Sequence, residues 1–142
     1  PELGGPELIE IGLRWLGFLL RTETRDGQLS VTPVTGRGPE SGVLLDSIAP
    51  AFDQQPIEVA AIADACARAY AITGDEQWLW GVQMAWSWFL GANDSSTVMF
   101  DARTGGGFDG LQRIGCNLNQ GAESTLAMLS TAQHARTLAV HG

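Results

Sequence analysis

Lysine is absent from this chain. All eight basic residues are arginines, scattered at Arg14, Arg21, Arg25, Arg37, Arg68, Arg103, Arg113 and Arg136. Against sixteen acids they leave a net charge of -8, and no group of them could neutralise a run of phosphates. A nonspecific nucleic-acid binder is excluded on that ground. Charged residues make up only 17% of the chain, below the roughly 25–35% share of a well-solvated surface. Some of the outside is therefore expected to be covered, by further sequence or by a partner.

Cysteine is scarce too. Cys66 and Cys116 cannot build a disulfide framework and are expected to be free thiols in a reducing compartment. With no signal peptide in view, that reads as cytoplasmic. His134 and His141, seven apart without an acidic zinc motif, give no metal site. No cofactor is expected either. TGRGPESG lacks the Gly-Lys-Ser/Thr end of a phosphate loop, and GGGFDG is not a dinucleotide fingerprint. No apolar run reaches the ~18 residues of a membrane span. Pro1 is not a translational start, which suggests a processed, trimmed or partial chain.

What is present is apolar and helical. Hydrophobic residues form 44% of 142 residues, enough for a single helical domain or domain fragment over residues 1–142. The spacing of Ile9, Leu13, Leu16 and Leu20 predicts a helix from Pro6 to near Arg21. Residues 22–52 read as a long irregular segment, with an Asp26-Gly27 turn and alternating Leu29, Val31 and Val34 suggesting a short hairpin or extended loop. Pro39 and Gly42 add breakers there.

Asp53 is a candidate cap for a second helix, with Pro56 in its first turn and Gly74 as its stop. Asp75 caps a third helix, so residues 53–91 predict an αα-hairpin. That third helix carries Trp78, Trp80, Trp86 and Trp88. Core anchors are the plainer account of them, with Trp88 as the candidate sugar-stacking platform. A fourth helix is expected from about Asn119 to Leu138. The fold class expected is all-α, built of antiparallel helical hairpins.

Between the third and fourth helices, residues 92–118 form a Gly-rich loop through Gly105, Gly106 and Gly107. Asp109 lies in it after the three glycines, and Glu123 lies at the start of the last helix. These two are the candidate catalytic carboxylates, since glycoside chemistry uses such a pair with one member held protonated. Asp53, Gln54, Gln55, Glu58, Asn117, Asn119 and Gln120, with Trp88, are the candidate ligand-binding residues if the loop folds over the helix starts. Helix capping is the competing account of the acids.

The stretches DQQPIEVAAIADACARAYAITGDEQWL, WSWFLGANDSS, FDARTGGGFDGL and GCNLNQGAESTLAML, spread over roughly residues 51–138, carry a resemblance. Together they resemble the helical C-terminal region of some bacterial glycosyltransferases, which is similar to the α/α-toroid, or six-hairpin glycosidase-like, architecture. The resemblance implies part of such a ring, and a carbohydrate-related accessory module that binds or positions a saccharide within a larger glycan-processing protein. It brings no catalytic assignment. A glycoside hydrolase-like enzyme and a non-catalytic interaction module are the alternatives. The partners implied are a saccharide and either the remainder of a larger protein or a second copy, with no nucleic acid and no membrane.

Overall fold

The computed structural model describes residues 5–38 and 49–139. His141 and the breakers Pro39 and Gly42 lie outside them. The first helix, α1, spans Pro6–Thr22, with proline in its first turn where its missing N–H costs nothing. A two-residue turn then joins β1 (Thr24–Arg25) to β2 (Gln28–Leu29). Asp26 and Gly27 take φ values of 51° and 80°, the left-handed pair that a type I′ hairpin turn requires. Leu29 and Val31 beyond it are fully buried, while Val34 is exposed.

The helical centre is α2 (Pro56–Thr73), α3 (Glu76–Phe89) and α4 (Ala122–Ala139), each packed on the other two. Gly74 closes α2 in the left-handed conformation, and its N–H donates to the Tyr70 carbonyl at 2.7 Å. The Asp75 carboxylate accepts the Gln77 N–H at 3.0 Å and so caps α3. The αα-hairpin is thus as tight as its two-residue connection demands. Val59, Ala63 and Cys66 of α2 and Val82, Ala85, Trp88 and Phe89 of α3 have no exposed surface. Truncating one such aromatic costs about 3–5 kcal/mol, so these rings anchor the fold.

Two further strands, β3 (Gly110–Leu111) and β4 (Cys116–Asn117), pair antiparallel in the segment between α3 and α4. The described residues therefore form a mixed α/β fold of four packed helices and two small antiparallel sheets. This corrects the expectation of an all-α chain and of a partial α/α-toroid. The reason lies in the two long connections. In their described parts the backbone groups find partners in other extended segments, as in the Val34–Asp53, Gln54–Leu111 and Gly110–Asn117 pairings. The segment 22–52 contains the short hairpin that the Asp26-Gly27 turn suggested, and the Gly-rich segment 92–118 contains a second one.

Two helix starts also move. Gln55, not Asp53, is the extended residue before α2, and it makes no side-chain cap. α4 begins at Ala122, three residues later than expected. Cys66 and Cys116 are free thiols. Among the described residues no helix is long and apolar enough to cross a membrane.

Candidate functional site

Four extended segments lie side by side next to the first turns of α2 and α4. Their order is residues 33–34, residues 53–54, β3 and β4. The Val34 N–H donates to the Asp53 carbonyl at 3.0 Å. Gln54 and Leu111 exchange both backbone hydrogen bonds, at 3.0 and 2.9 Å. Gly110 pairs with Asn117 and Leu111 with Cys116. The β3–β4 pair is a local hairpin, but the contacts of residues 33–34 with 53–54 and of Gln54 with Leu111 are distant in sequence, and together they make a floor across one end of the helices.

Strand geometry sends successive side chains to opposite faces. Gln54 and Leu111 point inward and are fully buried. Asp53 and Gln55, on either side of Gln54, are only half-buried. They converge over Gly110. A Cβ placed on that glycine would lie 3.1 Å from the Gln55 amide nitrogen and 3.9 Å from the Asp53 Cβ. The bare backbone lets the Gln55 amide pack over Gly110, with Asp53 beside it and the exposed Asn117 paired to it from β4. Beside it the Arg113 guanidinium sits 5.3 Å from the centre of the Phe52 ring, a cation–π contact.

Beneath the floor runs a buried polar chain. The Trp88 indole N–H donates to Gln54 Oε1 at 3.2 Å. Gln54 Nε2 donates to Asp94 Oδ2 at 2.6 Å and to the Ala51 carbonyl at 3.1 Å. Asp94, whose side chain is fully buried, accepts in turn from the Arg25 guanidinium. Burying a carboxylate is costly unless it is paired in this way. The chain ties the first hairpin, the start of α2, the end of α3 and the loop after it into one unit.

Asp109 is occupied by the backbone it organises. It accepts from the Ser124 hydroxyl at 2.7 Å, the Gly121 N–H at 2.8 Å and the Asn119 amide at 2.6 Å. The Ser124 hydrogen bond, then that from Gly121, hold its carboxyl below the usual carboxylate range despite some desolvation. The Gly-rich loop is pressed onto α4 just beside it. A Cβ on Gly107 would fall 2.5 Å from the Ser124 carbonyl oxygen, so no other residue fits there without moving backbone. Gln120 Oε1 accepts from the Thr104 hydroxyl at 2.7 Å, and the Asn117 side chain accepts the Asn119 N–H at 3.1 Å.

The expected site residues thus divide. Asp53, Gln55 and Asn117 gather around Gly110. Glu58 is exposed in the first turn of α2, and Glu123 in that of α4. Asn119 and Gln120 are exposed but engaged with the loop. Gln54 and Trp88 have no exposed surface, so these two expected ligand contacts serve the buried chain instead. Sequence reasoning missed Arg25, Asp94, Phe52 and Gly110. Asn-Asp-Ser-Ser after α3 does carry a turn signal, but nothing local ties Asp94 to an arginine sixty-nine residues away. Among the described residues no group of three His, Cys, Asp or Glu side chains could hold a metal ion.

No protein-family model matches the chain and no curated protein resembles it significantly, so neither comparison ties it to a glycosyltransferase or to carbohydrate.

Proposed function

We propose that the floor binds a neutral, polyhydroxylated ligand, a saccharide, and positions it without catalysing its reaction, as an accessory module of a larger protein. The supporting observation is the convergence of Asp53 and Gln55 over the bare backbone of Gly110, beside Asn117. A carboxylate accepts from hydroxyls, and side-chain amides both donate and accept, so the set matches adjacent hydroxyl groups without needing a ligand charge. The pinned loop and the paired floor keep these groups in place before binding, which lowers the ordering cost. Hydrolysis would require one acid of a pair to hold its proton near neutral pH. Asp109 is driven the other way by its three donors.

The test is an NMR titration with a panel of neutral mono- and oligosaccharides, following the side-chain amides of Gln55 and Asn117. Saturable shifts of both are expected for at least one sugar. Asp53→Ala should weaken them, and Gly110→Val, which pushes the Gln55 amide out of its place, should remove them. Absence of saturable shifts across the panel, or shifts unaffected by Gly110→Val, would refute ligand binding at this place.

A further inference from the structure

Among the described residues, α1 is an apolar helix with only one side packed on the rest of the fold. Gly17 and Leu20 are its buried residues, with Leu13 and Leu16 packed partly against the core. On the far side Leu8, Ile11, Trp15 and Phe18 are 61%, 44%, 60% and 53% exposed. Their spacing of three, four and three residues is a heptad stripe, the pattern of a helix that pairs with another helix. Aromatic side chains carry about 150–250 Å² each, so Trp15 and Phe18 alone leave on the order of 200 Å² open. A patch of this kind marks an interaction face.

We propose that this face packs antiparallel against the same face of a second copy of the chain. Charge along the helix selects that occupant and that direction. Glu7, Arg14 and Arg21 are exposed and recur every seven residues along one flank of the stripe. In an antiparallel pair a flank meets itself, so Glu7 of each copy lies against Arg21 of the other, and the contact occurs twice by symmetry. Arg14 meets its counterpart near the axis, with Glu10 one turn earlier on its own helix to offset it. A parallel pairing would lose both Glu7–Arg21 contacts and would align the helix dipoles unfavourably.

The surroundings extend the surface. A groove of about 270 Å³ between α1 and α2, lined by Ile9, Leu13, Leu16 and Ile72, borders the stripe on one side. A second, of about 280 Å³, includes Gly17, Leu20 and Trp80 on the other. Ile72 and Trp80 are themselves 61% and 46% exposed. A ridge flanked by two apolar grooves offers each copy both halves of an isologous contact. It lets the buried area grow from one helix face toward the roughly 800 Å² per partner of a stable interface.

Sedimentation velocity of the full chain over the micromolar range tests this. A reversible species of twice the chain mass is expected. Trp15→Glu, on an exposed position, should abolish it while leaving the helical circular dichroism unchanged and, at concentrations too low for association, the melting transition as well. Glu7→Arg should weaken association roughly tenfold, and so should Arg21→Glu. The double variant should recover most of that loss, because the swapped pair restores opposite charges. A chain that stays monomeric throughout, a dimer indifferent to Trp15→Glu, or a double variant no better than the singles would each overturn the proposal.

Discussion

The hydroxyl of Ser124, in the first turn of α4, donates to Asp109 at 2.7 Å, so the Gly-rich loop is clamped to the helix that follows it. The Asp109 carboxyl is held below the usual range in the folded chain. Stability from this group is full above the unfolded value of about 3.9 and fades as pH falls through the lower folded value. Asp109→Asn removes the charge and turns one acceptor into a donor facing donors. Denaturant unfolding should find the variant less stable than the native chain at neutral pH, with the gap closing in acid. A gap that persists unchanged at pH 2 would contradict the ionic clamp.

Glu23 carries the opposite sign. It is almost wholly buried, accepts from the Thr32 hydroxyl at 2.5 Å and from the Thr32 N–H, and burial pushes its carboxyl above the ordinary value. Its folded form therefore keeps a proton that the unfolded chain has already lost. The native chain should lose stability relative to Glu23→Gln as pH rises from about 4 toward 7. Paired unfolding curves at those two pH values decide it, and a difference that grows in favour of the native chain would contradict the assignment.

Gln54 joins three partners at once. Gln54→Ala leaves the Trp88 indole N–H without its acceptor, takes a donor from the buried Asp94, and opens a cavity under the floor. A loss of about 3 kcal/mol is expected from these effects together. Arg25→Met, which strips Asp94 of its guanidinium, should cost a similar amount. A melting curve indifferent to either change would show that the buried chain carries little of the fold.

Cys66 has no exposed surface, and burial pushes its thiol up to about 12. Cys116 is only partly buried, with a smaller upward push from the same cause. A thiolate-trapping reagent at mildly alkaline pH should therefore label one cysteine in the native chain, Cys116, and the second only on unfolding. Mass spectrometry of the labelled peptides identifies which. Early labelling of Cys66 would mean that α2 and α3 open far more readily than their packing implies.

The helical hairpin was legible because its signals are local. Asp75, Gly74 and the apolar period of α2 and α3 each act within a turn or two of themselves. The Asp26-Gly27 turn made the first hairpin legible, whereas β3 and β4 were not, since two-residue elements have no period to detect. Asp53 looked like a cap because it stands just before Pro56, but its carbonyl is taken by Val34 and its backbone by the floor. The delayed start of α4 has a similar cause, as Asp109 fixes Gly121 from twelve residues away. Composition and spacing drew attention to the acids and amides at the helix starts. They could not say that Gln54 and Trp88 turn inward while Asp53 and Gln55 stay at the surface, because one register of backbone pairing decides that.

The floor also sets an order of events in folding. The hairpin of α2 and α3 closes over two residues, whereas Pro33, Gln54 and Leu111 must meet across long stretches of chain. Loop closure makes such pairings slow and unrewarding until the helices have already met. The face formed by Asp53, Gln55 and Asn117 is then assembled last and released first. Damage confined to it should hasten unfolding while leaving the refolding rate almost untouched.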